Sequence, residues 1–132
     1  MELRVYLKRK GFEEPEIEDA LTDLHQTGEL DDSRYLAAIT RHHLARGKGA
    51  AYIVARLRAK GVDTNAAAVK RVMGDSGFDE TKKVEAIIEK RYAKSLEDQK
   101  GVRKVYQALL SRGFSGETIQ QVLKRLLRAK RP

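Results

Sequence analysis

The fold of this chain is decided by the stretch Leu7-Lys8-Arg9-Lys10-Gly11-Phe12, because its pattern returns twice. The two later copies are Leu57-Arg58-Ala59-Lys60-Gly61-Val62 and Leu109-Leu110-Ser111-Arg112-Gly113-Phe114, so the three glycines stand 50 and then 52 residues apart. In each copy a leucine lies four residues before the glycine, a base lies directly before it and an apolar residue follows. Such a recurrence indicates tandem supersecondary units that bury their apolar faces against one another.

Each copy is typical of a short helix that ends at its glycine. Glycine takes the left-handed conformation after a helix at little cost, and the preceding base faces the negative end of the helix. A second helix is predicted next, with Pro15 in a first turn and with Asp63 or Thr64 and Ser115 as N-caps. Apolar side chains then recur at helical spacing, at Ile17, Leu21 and Leu24 in the first copy and at Ile119, Val122, Leu123 and Leu126 in the third.

A third helix is predicted in the first two copies, where acids precede an amphipathic run. The acidic starts are Asp31-Asp32-Ser33 and Asp79-Glu80-Thr81. The sequence therefore predicts an all-α fold, a single domain of tandem three-helix repeats that form an elongated, curved array. The repeats are residues 1–47, 48–98 and 99–132, the last incomplete, and the helices are expected over residues 2–10, 15–27, 32–46, 50–60, 64–74, 80–95, 101–112 and 116–129.

Composition limits the class of protein. The chain has 132 residues and no cysteine, which excludes disulfides and thiolate metal sites. The first 30 residues contain no apolar signal-peptide run, and no apolar stretch reaches 18 residues. We therefore expect a monomeric cytoplasmic protein with no membrane partner.

The formal charge of +8 is unevenly distributed. Residues 1–40 carry ten acids and five bases, whereas residues 41–132 carry nine acids and 22 bases. No acid occurs between Asp32 and Asp63, a stretch with seven bases. This asymmetry favours a polyanionic partner or an acidic protein surface, and a basic surface kept only for solubility is the alternative.

Catalysis and metal binding have little support in the sequence. The histidines are His25 and the adjacent His42 and His43, and adjacent helical residues point about 100° apart, so the pair cannot chelate one ion. We expect His43 to pack beside Ile39 and His42 to face solvent. The close pair Asp31-Asp32 suits a helix start better than a catalytic dyad. We therefore predict no enzyme, no catalytic residue, no cofactor and no metal.

The segment Arg46-Gly47-Lys48-Gly49, which we call the basic link, has two interpretations of equal weight. Its glycines would let backbone amides and Lys48 approach a partner closely, or they would make a flexible connection between helices. It lacks the Lys-Ser/Thr ending of a nucleotide-binding loop. Tyr52, which follows, either stacks on a base or sits in the core, and the core is the commoner place for a single aromatic.

The ordered set of these segments resembles the RecX family. The segment Gly28-Glu29-Leu30-Asp31-Asp32-Ser33-Arg34-Tyr35 is similar to the family signature G-x-L-D-D-x-R-[FY]. The basic link followed by Lys60-Gly61-Val62 is similar to the family pattern R-G-x-G…K-G-[IV]. Lys90-Arg91-Tyr92 and the third glycine segment also match family elements in order. The residues that we take as structural signature are Asp31, Asp32, Arg34, Tyr35, Gly61 and Gly113.

The resemblance implies a function that composition alone does not. RecX proteins are regulatory proteins that bind the RecA recombinase and lodge in the groove of its nucleoprotein filament. They mostly inhibit strand exchange, ATP hydrolysis and co-protease activity, by blocking filament growth or promoting disassembly, and thereby act on recombination, DNA repair and the SOS response. The resemblance implies no cofactor. It also implies a further helix upstream of Glu2-Leu3-Arg4, so that the first repeat is expected to be incomplete.

The basic stretch supplies the predicted contacts with RecA and DNA. They are Arg41, His42, Arg46, Lys48, Tyr52, Arg56, Arg58 and Lys60. Weak binding to single- or double-stranded DNA alone is also expected from the charge. The alternative is a helical DNA-binding module that acts through its basic face without a recombinase partner.

Overall fold

The computed structural model describes residues 3–27 and 32–129, with side chains described over residues 4–23 and 36–129. These ranges hold eight α-helices and no strand, which confirms the predicted all-α fold. The helices are α1 (Leu3–Arg9), α2 (Glu14–Thr27), α3 (Asp32–Ala45), α4 (Ala50–Ala59), α5 (Ala66–Asp75), α6 (Glu80–Ile87), α7 (Gln99–Ser111) and α8 (Gly116–Ala129). None of them is long and apolar enough to cross a membrane.

The three glycine turns have the predicted geometry. The φ angles of Gly11, Gly61 and Gly113 are 88°, 78° and 94°. In each turn the residue after the glycine donates its N–H to the carbonyl of the leucine four residues before the glycine, at 3.2, 3.0 and 3.3 Å. This bond satisfies a carbonyl at the helix end that has no partner inside the helix. Helices α3 and α5 end in the same way, at Gly47 and Gly77.

One predicted helix start is wrong. Neither Asp63 nor Thr64 caps α5, because the chain stays extended for one residue more, at Asn65. The Asn65 side chain accepts a hydrogen bond from the backbone N–H of Ala68 at 2.9 Å, and amide side chains are good N-caps. The predicted cap Ser115 does lie before α8, with its Oγ 3.5 Å from the N–H of Thr118.

The predicted single helix over residues 80–95 is also wrong. After α6 the chain widens into a π-helical turn, Ile88–Tyr92, and then tightens into a 3₁₀ segment, Ala93–Glu97. Ile88, in the π-helical turn, and Leu96, in the 3₁₀ segment, are buried in one core. The 3₁₀ segment lies directly against the start of α7, since a Cβ on Gly101 would be 1.8 Å from the carbonyl oxygen of Ser95. Tertiary packing at that contact therefore overrides continuation of the α-helix.

The buried side chains form two clusters. The first runs from Leu7 to Met73 and belongs to α1–α5, in which α2 packs on α3 and α5 packs on both α3 and α4. The second runs from Val84 to Leu123, where α8 packs on α6 and α7. Phe78 is half-buried and contacts both clusters. The packing therefore divides near Phe78.

Candidate binding surface and the ion pairs beneath it

One face of α2 carries three acids that are spaced three and four residues apart. Residues with this spacing lie on the same side of a helix. These acids face the segment 41–43 on α3. Asp23 pairs with Arg41, Asp19 with His42 and Glu16 with His43. The Arg41 guanidinium donates through Nε to Asp23 Oδ2 at 2.7 Å. Acids of the negative N-terminal region are thus used inside the protein, to join α2 to α3.

Glu16 is the centre of this contact, and its side chain is only 4% exposed. Its Oε1 accepts from the backbone N–H of Glu13 at 2.8 Å and from Arg56 Nη2 at 2.6 Å. Its Oε2 lies 3.2 Å from Arg56 Nε and 2.8 Å from His43 Nε2. The bond to Glu13 is half of a capping box at the start of α2. A single carboxylate therefore ties the start of α2 to both α3 and α4.

The two buried titratable groups respond to burial in different ways. Burial acts to raise the pKa of Glu16, but the hydrogen bonds from Arg56, Glu13 and His43 outweigh it and lower this pKa to about 2. Burial lowers the pKa of His43, against the opposing effect of Glu16. We infer that His43 is neutral near pH 7 and donates from Nε2 to an ionised Glu16.

Acid should destabilise the protein in two stages. As the pH falls through about 6.5, the ordinary pKa of histidine, the unfolded chain binds a proton at His43 more readily than the native protein does, which should lower the free energy of unfolding. The stability contributed by Glu16 is present above pH 4.5 and is lost as the pH falls toward about 2. Urea denaturation across this range measures both stages. Constant stability between pH 7.5 and 5.5 would contradict the lowered pKa of His43.

The expectation that His42 faces solvent is wrong. His42 is buried, because Asp19 on α2 binds its Nδ1 and the ring packs edge-on against His43 at 4.9 Å between centroids. Sequence reasoning missed the three acids of α2 as structural partners. The sequence did contain a signal for this pairing. The three acids are spaced along one helical face, and residues 41–43 are three successive basic or imidazole side chains. Of the predicted contact residues, Arg41, His42 and Arg56 are bonded to these acids.

The other predicted contacts lie at the two ends of α4, whose ten residues span roughly 15 Å. At its start, Arg46 is exposed and Lys48 places Nζ 4.6 Å from the ring centroid of Tyr52. Tyr52 is half-buried against the first cluster and against His43. Of the two predicted places for this side chain, stacked on a base or in the core, it therefore occupies the core. We call Arg46 and Lys48 the entry bases.

At the other end of α4, Arg58 and Lys60 precede the second glycine turn, and Lys60 lies beside the first. Arg58 donates from Nε to the carbonyl of Thr64 at 3.0 Å. Lys60 Nζ is 3.1 Å from the place where a Cβ on Gly11 would be, and Lys10 Nζ is 3.5 Å from the equivalent place on Gly61. The two glycine turns are therefore neighbours, each with a lysine from the other above it. We call Arg58 and Lys60 the exit bases.

The entry and exit bases differ from Arg41, His42 and Arg56, which are each paired with an acid of α2. Within residues 4–23 and 36–129, where side chains are described, no acid forms an ion pair with any of the four. In the same ranges no cluster of histidine or acidic side chains could hold a metal ion. The arrangement therefore offers positive charge to an anionic partner.

The basic link is not a loose connection. The backbone N–H of Gly49 donates to the carbonyl of Arg112, in the third glycine turn, at 2.7 Å. Of the structural signature residues, Gly61 and Gly113 have the positive φ expected of their turns. Asp31 lies outside the described residues, and so do the side chains of Asp32, Arg34 and Tyr35.

Comparisons with known proteins agree with this architecture. Residues 31–68 match the family model described as the second three-helix domain of RecX, and residues 79–123 match the third. The Regulatory protein RecX of Acidithiobacillus ferrooxidans is 30% identical over 123 residues, which are 92% of this chain and 77% of that protein. That of Vibrio parahaemolyticus is also 30% identical, over 92% of this chain and 78% of its own length. That of Haemophilus influenzae is 28% identical, over 92% and 81%. No solved structure matches the chain.

Proposed function

Because the chain belongs to the RecX family of regulatory proteins, we propose that it binds the RecA recombinase on DNA and inhibits it. In this proposal the protein acts as a monomer, without cofactor or catalysis, on the nucleoprotein filament. It blocks filament growth or promotes disassembly, and so reduces strand exchange, ATP hydrolysis and co-protease activity.

The observation that carries the proposal is the pair of basic groups at the ends of α4. The acids of α2 neutralise Arg41 and Arg56, whereas no acid among the described side chains pairs with the entry and exit bases. DNA phosphates on a filament are an anionic partner for these bases. Positive charge raises the rate of encounter with such a surface.

The direct test is the ATPase activity of RecA on single-stranded DNA, measured while this protein is titrated well below one molecule per RecA subunit. We expect strong inhibition at these ratios, because a few regulators suffice to stop growth or start disassembly of a long filament. Masking of the DNA would instead need nearly enough protein to coat it. Unchanged hydrolysis even at equimolar protein would contradict the proposal.

Charge reversal of the entry bases tests where binding occurs. We expect Arg46→Glu with Lys48→Glu to raise the half-inhibitory concentration by roughly tenfold or more, since two attractive contacts become repulsive. The matched control is Arg103→Glu with Lys104→Glu, which makes the same charge change at exposed positions on α7. It should change inhibition by no more than about threefold, through net charge alone. Equal losses in both variants would show that only total charge matters.

The alternative is DNA binding without a recombinase partner, which the same basic groups would support. It predicts that affinity for a bare oligonucleotide falls steeply with salt concentration. It also predicts that RecA is inhibited only when the DNA is nearly covered. Titration of RecA at several DNA concentrations separates the two functions, because inhibition through the DNA alone scales with the amount of DNA.

A further inference from the structure

The start of α4 is completed by the third glycine turn, residues 112–114. The N–H of Gly49 donates to the carbonyl of Arg112 at 2.7 Å, and the N–H of Ala51 donates to the carbonyl of Gly113 at 3.2 Å. Amides at a helix start and carbonyls at a helix end have no partner within their own helices. Here the end of α7 supplies the carbonyls for the start of α4, and opposite ends of the two helix dipoles meet. We call this contact the glycine joint.

Glycine is needed on both sides of the joint. Gly49 has an ordinary φ of −103°, so its lack of a side chain matters for space and not for backbone conformation. A Cβ at Gly49 would lie 2.5 Å from the carbonyl oxygen of Gly113. A Cβ at Gly113 would lie 2.4 Å from the backbone nitrogen of Tyr52. The two backbones are therefore in direct contact, with no room for a methyl group between them.

The joint also reaches the entry bases. Arg112 Nη1 lies 3.4 Å from the carbonyl oxygen of Gly47, between the two entry bases in sequence. Tyr52, whose backbone touches Gly113, carries the ring over which the Lys48 ammonium lies. The conformation of residues 46–49 thus depends on a turn more than 60 residues later in the chain.

We propose that Arg112 and Gly113 are positioning residues for the entry bases, so that the second buried cluster orients a binding surface on the first. The inference rests on the proposed function for its biological readout, but its geometry can be tested alone. A link held in one conformation loses less entropy when it binds, and therefore binds more tightly. Without the joint, the four residues of the link with their two glycines would sample many conformations.

Hydrogen exchange tests the geometry without any partner. In the wild-type protein the amides of Gly49 and Ala51 should be protected from hydrogen exchange. Amides in a link or in a first helical turn have no partner in their own helix, so protection there would come from the joint. Arg112→Ala keeps the backbone carbonyl that accepts from Gly49 but removes the side-chain hydrogen bond to the carbonyl of Gly47. Exchange at Gly49 should therefore speed by about fivefold, because the link is held less firmly against the turn. The amide of Leu57, inside α4, is the internal control and should not change. Equal exchange at Gly49 in wild type and variant would overturn the inference.

A double-mutant cycle tests the link to function, with RecA ATPase inhibition as the readout. Arg112→Ala and Lys48→Ala should each raise the half-inhibitory concentration by about fivefold, and the double variant should lose little more than either. A purely structural or a direct role for Arg112 predicts independent losses, about 25-fold together, and that result would overturn the inference. Arg103→Ala, on the exposed face of α7, is the matched control and should change inhibition less than about twofold.

A second pair of variants keeps the test independent of Arg112. Gly49→Ala places a methyl group in the joint, whereas Gly74→Ala, in α5, places one in open space. We expect roughly tenfold weaker inhibition from the first and no loss from the second. A wild-type protein that does not inhibit RecA would contradict the proposed function, and hydrogen exchange would still decide the inference. Normal inhibition by Gly49→Ala would contradict the inference alone.

Discussion

Glu16→Gln is expected to lower the free energy of unfolding by about 3 kcal/mol at pH 7. The carboxylate is buried and accepts hydrogen bonds from Glu13, His43 and Arg56. The neutral amide cannot balance the Arg56 charge, and its NH₂ group would face a donor. Removal of one partner of a buried ion pair leaves the other charge buried without compensation. This costs far more free energy than the intact pair contributes relative to apolar residues in its place. Urea denaturation at pH 7 measures the loss.

Glu18→Gln is the matched control for this prediction. Glu18 lies on the same helix and pairs with Arg4, but its side chain is 57% exposed. Exposed ion pairs contribute at most about 1 kcal/mol, so this variant should unfold almost as the wild type does. The Glu16 variant should also lose less stability than the wild type between pH 4.5 and 2, because the group responsible is gone. Equal stability of the two variants at pH 7 would contradict the central role of Glu16.

Gly113→Ala should be the most damaging of the single-methyl changes at a glycine turn. An alanine at a φ of 94° is strained by about 1–2 kcal/mol, and its methyl group would meet the backbone of Tyr52. The two contributions together should lower the free energy of unfolding by at least about 3 kcal/mol. The second contribution arises because the methyl group would push the two sides of the glycine joint apart. The backbone atoms that it meets cannot rotate away as a flexible side chain does.

Gly77→Ala separates strain from collision. Gly77 has a similar φ, 73°, but a Cβ there would meet nothing within 4 Å. This variant should therefore lose only the conformational part, about 1 kcal/mol. Chemical denaturation of both variants gives the contribution of the joint as a difference. If the two variants lose the same stability, the joint contributes nothing measurable.

The local structure could largely be predicted from the sequence. The three glycine turns, the positions of all eight helices and the buried leucine of each turn follow from local rules: helix ends prefer glycine, and apolar residues recur at helical spacing. The errors concerned two local details of helix ends. Residues 88–97 depart from the α-helix against the start of α7, and α5 begins later than predicted because Asn65 is the better placed cap.

The candidate site was only partly predictable, because its contacts join helices that are distant in sequence. The sequence places Arg41, Arg46, Lys48 and Arg56 in one acid-free stretch and treats them as equivalent. In the structure Arg41 and Arg56 are bonded to acids of α2, and none of the acids whose side chains are described pairs with the other two. Local charge counts do not show which bases meet which acids, since that depends on how helices distant in sequence pack.

The sequence by itself determined the helical class, the glycine-ended helices and the resemblance to RecX, because these depend on neighbouring residues and on motif order. Only the tertiary structure decided that His42 is buried, that Glu16 joins three helices and that the basic link is bonded to the third glycine turn. These contacts connect residues 23 to 65 positions apart, and how the helices pack decides which partners meet. The physical reason is that buried polar groups must be paired, and the fold as a whole determines which partners lie within reach.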